Sequence, residues 1–98
     1  MFRVLVTEKI SQSALSHLEK SGYEVDVQLE LDEAKLLDEI KDAHAIIIRS
    51  ATKITKEVIA QGKELVVIGR AGIGLDNVDV AAATEQGIMV VNLSLIHI

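Results

Sequence analysis

Two stretches of this chain, Ile46-Ile47-Ile48 and Leu65-Val66-Val67-Ile68, are uninterrupted aliphatic runs of strand length. A strand with one face in water alternates apolar and polar residues. A continuous run is stable as a strand only when both faces are covered, and a parallel sheet sandwiched by helices meets that condition. In all, strand-length runs are read from Phe2 to Thr7, Glu24 to Gln28, Ala45 to Ile48, Glu64 to Ile68 and Ile88 to Val91, with helically spaced segments between them.

The intervening segments carry start and stop signals. Ser11 can cap the first helix, with Ile10 and Leu15 at the spacing of a hydrophobic staple, and Gly22 closes it. Asp32 can cap the second; Leu31 and Leu36 repeat the staple, and Leu36, Leu37 and Ile40 form its inward face. Thr55 begins a short third helix that ends at Gly62. Asn77 is read as the start of the fourth, which runs through Ala81-Ala82-Ala83 to Gly87, its small side chains suited to close packing on a sheet. Strand and helix alternate four times before the last strand. Right-handed crossovers then predict an α/β fold: a flavodoxin-like, doubly wound, five-stranded parallel sheet of order 2-1-3-4-5.

Composition narrows the class further. At 98 residues the chain holds one domain. It is 49% hydrophobic with Phe2 and Tyr23 as its only aromatic residues, so the core is built from Val, Ile, Leu and Ala. A formal net charge of −5 argues against nucleic acid or an anionic membrane as partner. There is no cysteine, which excludes disulfides and thiolate metal sites. The sequence enters its first strand run directly, without a signal-like leader, and no apolar run approaches the ~20 residues of a membrane span. A cytoplasmic protein is expected.

Ligands of open α/β sheets bind beyond the carboxyl ends of the strands. The third strand run is followed there by Arg49-Ser50-Ala51-Thr52, and the fourth by Gly69-Arg70-Ala71-Gly72-Ile73-Gly74-Leu75-Asp76-Asn77. Of the three arginines in the chain, two stand at these ends. Neighbouring strands lie ~4.8 Å apart, so both guanidinium forks are expected to open onto one ligand. Arginine binds carboxylate and phosphate through paired N–H groups. Gly72 and Gly74 let the backbone approach that ligand, and a helix opening at Asn77 adds free N–H donors. A small anionic substrate is the expectation; the plainer reading pairs these arginines with Glu8, Glu64 or Asp76. Gly72-Ile73-Gly74 begins like a dinucleotide fingerprint but has Asn77 at its sixth position, and the next strand ends in Asn92 rather than a ribose-binding acid.

Other signals are weaker. His17, His44 and His97 lack metal-ligand spacing, and no metal site is expected. Asp26, Glu30, Asp32 and Glu33 read as a solvated edge. A phosphoacceptor receiver needs carboxylates after the first and third strands to hold a divalent cation, and the third run here meets Arg49 instead.

The stretch Arg49-Ser50-Ala51-Thr52-Lys53-Ile54-Thr55, followed by Val67-Ile68-Gly69-Arg70-Ala71-Gly72-Ile73-Gly74-Leu75-Asp76-Asn77-Val78-Asp79, resembles the NAD-dependent D-2-hydroxyacid dehydrogenase family. Ala81-Ala82-Ala83-Thr84 and Gly87-Ile88-Met89-Val90-Val91-Asn92 continue the match in register, from Phe2 to Asn92. The resemblance implies that residues 1–92 are the substrate-binding domain of such an enzyme. Arg49 and Arg70 then face the phosphate and carboxylate end of a small anionic 2-hydroxy acid. Ser50 and the backbone of Ala71, Gly72, Ile73 and Gly74 line the strip beside the carboxylate. Ile73 touches the nicotinamide side of NAD across the cleft, and Asn77 holds the loop. The family's proton-transferring histidine, its partner carboxylate and its catalytic arginine have no counterpart here, so no catalytic residue is assigned. Residues 93–98, Leu-Ser-Leu-Ile-His-Ile, depart from the family pattern as an anomalous tail, and the cofactor-binding Rossmann domain is absent from the sequence. The tail has high β-propensity and little charge, so it is expected to prolong the fifth strand or to promote self-association. The alternative function is a regulatory module of the same fold that binds a small anion without turning it over.

Overall fold

The computed structural model describes residues 2–9, 12–29, 31–49, 52–71 and 77–93. Its elements, in chain order, are β1 (Arg3–Val6), α1 (Gln12–Lys20), β2 (Glu24–Val27), α2 (Glu33–Glu39), a single 3-10 turn (Ile40–Asp42), β3 (Ala45–Ile48), α3 (Lys56–Gln61), β4 (Val67–Ala71), α4 (Val80–Glu85) and β5 (Met89–Leu93). The strands form one sheet in the order β2-β1-β3-β4-β5, and every pair is parallel. This is the expected doubly wound arrangement. The chain winds to one side from β1 to β2, then crosses back over β1 to place β3, so the loops after β1 and β3 diverge where the winding reverses.

The two faces are unequally covered. Leu5, Ile46, Ile48 and Ile68 pack with Leu36, Ile40, Val58, Ile59 and Ala83 beneath α2, α3 and α4. On the other face Val4, Val6, Ala45 and Ile47 meet Leu15 and Leu18 of α1. All four residues of β3 are buried, as its unbroken isoleucine run requires. Far from α1, at the β5 edge, Met89 is 64% exposed. Among the described residues no helix is long and apolar enough to cross a membrane.

The helix starts at Asp32 and Thr55 are as read from the sequence: Asp32 Oδ1 accepts from Lys35 N at 2.8 Å and Thr55 Oγ1 from Val58 N at 3.4 Å. Ser11 and Ile10 lie outside the described residues. The largest differences are at the starts of the fourth strand and the fourth helix. The fourth strand begins at Val67, three residues later than expected, because Leu65 N turns back to Gly62 O and Val66 is left 51% exposed in the connection. The fourth helix begins at Val80 rather than at Asn77, and its cap is Asp79, whose Oδ1 accepts from Ala82 N at 3.0 Å.

Candidate functional site

The late start of β4 carries Arg70 into the sheet. Arg70 pairs in register with Ile48 on one side and Asn92 on the other. It is only 7% exposed. Two residues beyond Ile68, its side chain leaves the sheet on the face that α2, α3 and α4 cover. Arg49, by contrast, is exposed one residue past β3, and its Nη1 donates to Lys9 O at 3.2 Å in the loop after β1. β1 and β4 flank β3 on opposite sides, and the Lys9 carbonyl offers the Arg49 guanidinium an acceptor on the β1 side. Both arginines stand at the carboxyl end of the sheet, as expected.

Asn77 does not open a helix. Its Nδ2 donates to the carbonyl oxygens of Arg49 and Thr52, at 2.6 Å each. Two carbonyl acceptors need a donor, so the nitrogen of the carboxamide must be the atom turned towards them. Asn77 O accepts from Ile54 N and Ile54 O from Asp79 N, both at 2.9 Å, and Ile54 bridges Val78 in parallel. The segments following β3 and β4 are thereby stitched together. Asn77 fixes the backbone at Arg49 and Thr52, in the segment after β3.

A residue missed as a site member completes this arrangement. Glu8 Oε2 accepts from Arg49 N at 2.5 Å and from Thr52 N at 3.0 Å. Glu8 was weighed from the sequence as an ion-pair partner for the arginines; these bonds join it to the backbone of Arg49 and Thr52. The Thr7 and Thr52 hydroxyls share a hydrogen bond of 2.9 Å, and Thr7 is 4% exposed. The available signal was position: Thr7-Glu8 ends β1 where the winding reverses. A cleft of about 550 Å³ opens there, lined by Thr7, Glu8, Lys9, Thr52, Lys53 and Leu36, and neither Arg49 nor Arg70 lines it.

Ser50, Gly72, Ile73 and Gly74 lie outside the described residues. Ala71 ends β4, paired with Leu93. Asp26, expected on a solvated edge, instead accepts from Arg3 Nη2 at 2.6 Å, and Glu39 Oε2 accepts from the same nitrogen at 2.7 Å. His44 is structural too: its Nδ1 accepts from Arg3 N at 2.9 Å and its ring stacks on Phe2 at 5.2 Å.

A doubly wound α/β domain with arginines and a braced backbone at the carboxyl ends of neighbouring strands belongs to the open-sheet class, in which ligands bind beyond those ends. Within that class, the sequence pattern of the D-isomer specific 2-hydroxyacid dehydrogenase catalytic domain matches residues 4–96, and the chain belongs to that family. It is 50% identical over 92 residues to a D-3-phosphoglycerate dehydrogenase of Methanocaldococcus jannaschii, covering 94% of this chain and 17% of that protein. A solved protein of Pyrococcus horikoshii OT3 superposes with a TM-score of 0.91 at 34% identity, over 96% of this chain and 28% of that one. The NAD+-bound 3-phosphoglycerate dehydrogenase of Entamoeba histolytica gives a TM-score of 0.83 at 32% identity, over 93% of this chain and 32% of its own. The chain thus spans a small part of the length of the relatives it matches.

Proposed function

We propose that residues 1–92 form the substrate-side domain of an NAD-dependent dehydrogenase that oxidises 3-phosphoglycerate to 3-phosphohydroxypyruvate, as in serine biosynthesis. The observation that carries the reading is the 50% identity to a D-3-phosphoglycerate dehydrogenase over 92 residues, which takes in both arginine-bearing strand ends. Arg70, and Arg49 once its fork swings from the Lys9 carbonyl, supply the cationic donors for phosphate and carboxylate. Ser50, Ala71, Gly72, Gly74 and Asn77 form or hold the strip beside the carboxylate, and Ile73 faces the nicotinamide.

NAD is the hydride acceptor of such an enzyme, but the residues of this chain do not build its primary site. Asn77 stands where a fingerprint needs its third glycine, and its carboxamide is engaged by two carbonyls. The dinucleotide therefore belongs to a separate Rossmann domain, which is this chain's principal partner. Residues 93–98, of which the family pattern still takes in 93–96, favour self-association through their β-propensity and low charge, and the setting is cytoplasmic.

A chimera tests this reading. Residues 1–92 replace the equivalent domain of the Methanocaldococcus enzyme, and NADH formation is followed with 3-phosphoglycerate, glycerate and lactate. Preference for the phosphorylated acid is expected. A folded, NAD-binding chimera that prefers an unphosphorylated acid contradicts it.

A further inference from the structure

Arg49 and Thr52 are held in an unusually complete way. One carboxylate oxygen of Glu8 accepts both of their backbone N–H groups, and one carboxamide nitrogen of Asn77 donates to both of their backbone carbonyls. All four main-chain polar groups of the two residues are thus satisfied by two side chains. These side chains come from different loops, one after β1 and one after β4. The Thr7–Thr52 hydroxyl contact adds a third tie to β1.

We propose that Glu8 is a positioning residue for substrate binding: it fixes the backbone at Arg49 and Thr52, and so sets where the segment after β3 presents itself to the anion. The proposal rests on the substrate reading above. The physical case is one of cost and sign. Backbone N–H groups at the mouth of an anion site attract any carboxylate or phosphate. Without Glu8, those of Arg49 and Thr52 are open to solvent or to the ligand itself, and the two residues keep only the Thr7–Thr52 hydroxyl contact and the Arg49–Lys9 bond to the β1 side. A carboxylate accepting two N–H bonds is a strong acceptor, stronger than a neutral amide oxygen in the same place. It also brings negative charge to a site for anions. That choice is costly for binding unless it secures geometry, and an anion site is otherwise better served by a neutral brace.

The test uses the 98-residue chain, with Glu8→Ala removing the acceptor and Glu8→Gln keeping an oxygen while losing the charge. Amide hydrogen exchange is read at Arg49 and Thr52, with Leu5, Ile46 and Ile68 as reporters of the intact sheet. Binding of 3-phosphoglycerate, glycerate and inorganic phosphate is then followed by amide shifts. Protection at Arg49 and Thr52 should fall in the order wild type, Gln, Ala while the sheet reporters stay unchanged. Affinity for 3-phosphoglycerate should fall in the same order, by about tenfold for Ala. If Glu8→Ala does not fold, the step from wild type to Gln carries the same comparison. Unchanged protection, or lost protection with unchanged affinity, overturns the proposal while leaving the substrate reading intact. A wild-type chain that is protected at both amides yet binds none of the three anions overturns the substrate reading, and this proposal with it.

Discussion

At the scale of single residues, Asn77 shows how chemistry and position divide the work. Its carboxamide turns its nitrogen towards two carbonyls, and Asp, identical in shape, has no donor to offer them. Asn77→Asp is therefore expected to destabilise the fold by about 1–3 kcal/mol, the cost of facing an acceptor with acceptors. An unchanged melting temperature would show that the brace is dispensable. Arg3 makes the complementary case for a cation. Its side chain is 15% exposed, and burial pulls its pKa down, but the hydrogen bonds and charges of Asp26 and Glu39 outweigh that and leave it above the ordinary arginine value. A raised folded-state pKa gives a contribution present at every pH below the unfolded value and lost only in strong alkali. The stability difference between wild type and Arg3→Met should thus stay flat from neutral pH to about pH 10 in denaturant titrations. A difference that collapses within that range would mean the guanidinium is not what holds these carboxylates. Arg49, Arg70 and Asn77 stood out as candidates because their types are rare in this chain and their places lie at or near the expected strand ends. Glu8 did not, because a carboxylate near arginines suggests an ion pair, and only the fold shows that it meets backbone N–H groups.

Elements were read well where one signal acted alone and poorly where two competed. Asp32 and Thr55 each precede a helix without a rival, and both cap as read. Asn77 and Asp79 are both good caps two positions apart. Asn77 is engaged by the neighbouring loop, which leaves the helix to Asp79. The continuous run Leu65-Val66-Val67-Ile68 promised a strand from Glu64, but α3 closes on Gly62, so the first half of the run is spent turning. That shift, invisible to periodicity, is what draws Arg70 inside β4. At the far end of α4, Gly87 takes φ 81° while Ile88 N reaches back to Ala83 O at 2.8 Å, the closure that a left-handed residue permits. A Cβ at Gly87 would meet nothing within 4 Å. Gly87→Ala should then cost only the backbone term, about 1–2 kcal/mol, read as a lower midpoint in denaturant. A stabilised or neutral variant would mean that this residue relaxes out of the left-handed region.

At the scale of the whole molecule, sheet order and direction were predictable because alternation and handedness leave few choices. The uneven cover was not, since no local pattern says how many helices fall on each side. Three helices lie on one face and one on the other, with Met89 exposed beyond α1's reach. The described part of β5 does extend to Leu93, two residues past the expected end. We propose that this chain supplies a substrate half-site and leaves hydride transfer to a cofactor-binding domain. Hydride transfer needs the nicotinamide held against the substrate carbon and a general base for its proton. Positioning of both is beyond one braced strip with two arginines. The most direct measurement incubates the purified chain with NAD and 3-phosphoglycerate, following NADH and the amide spectrum together. The account predicts no NADH above background, with millimolar or weaker binding that shifts Arg49, Arg70 and residues 72–77, because the exposed Arg49 contributes only ~0–1 kcal/mol. Turnover, or shifts confined to the cleft around Leu36 and Lys53, would contradict it.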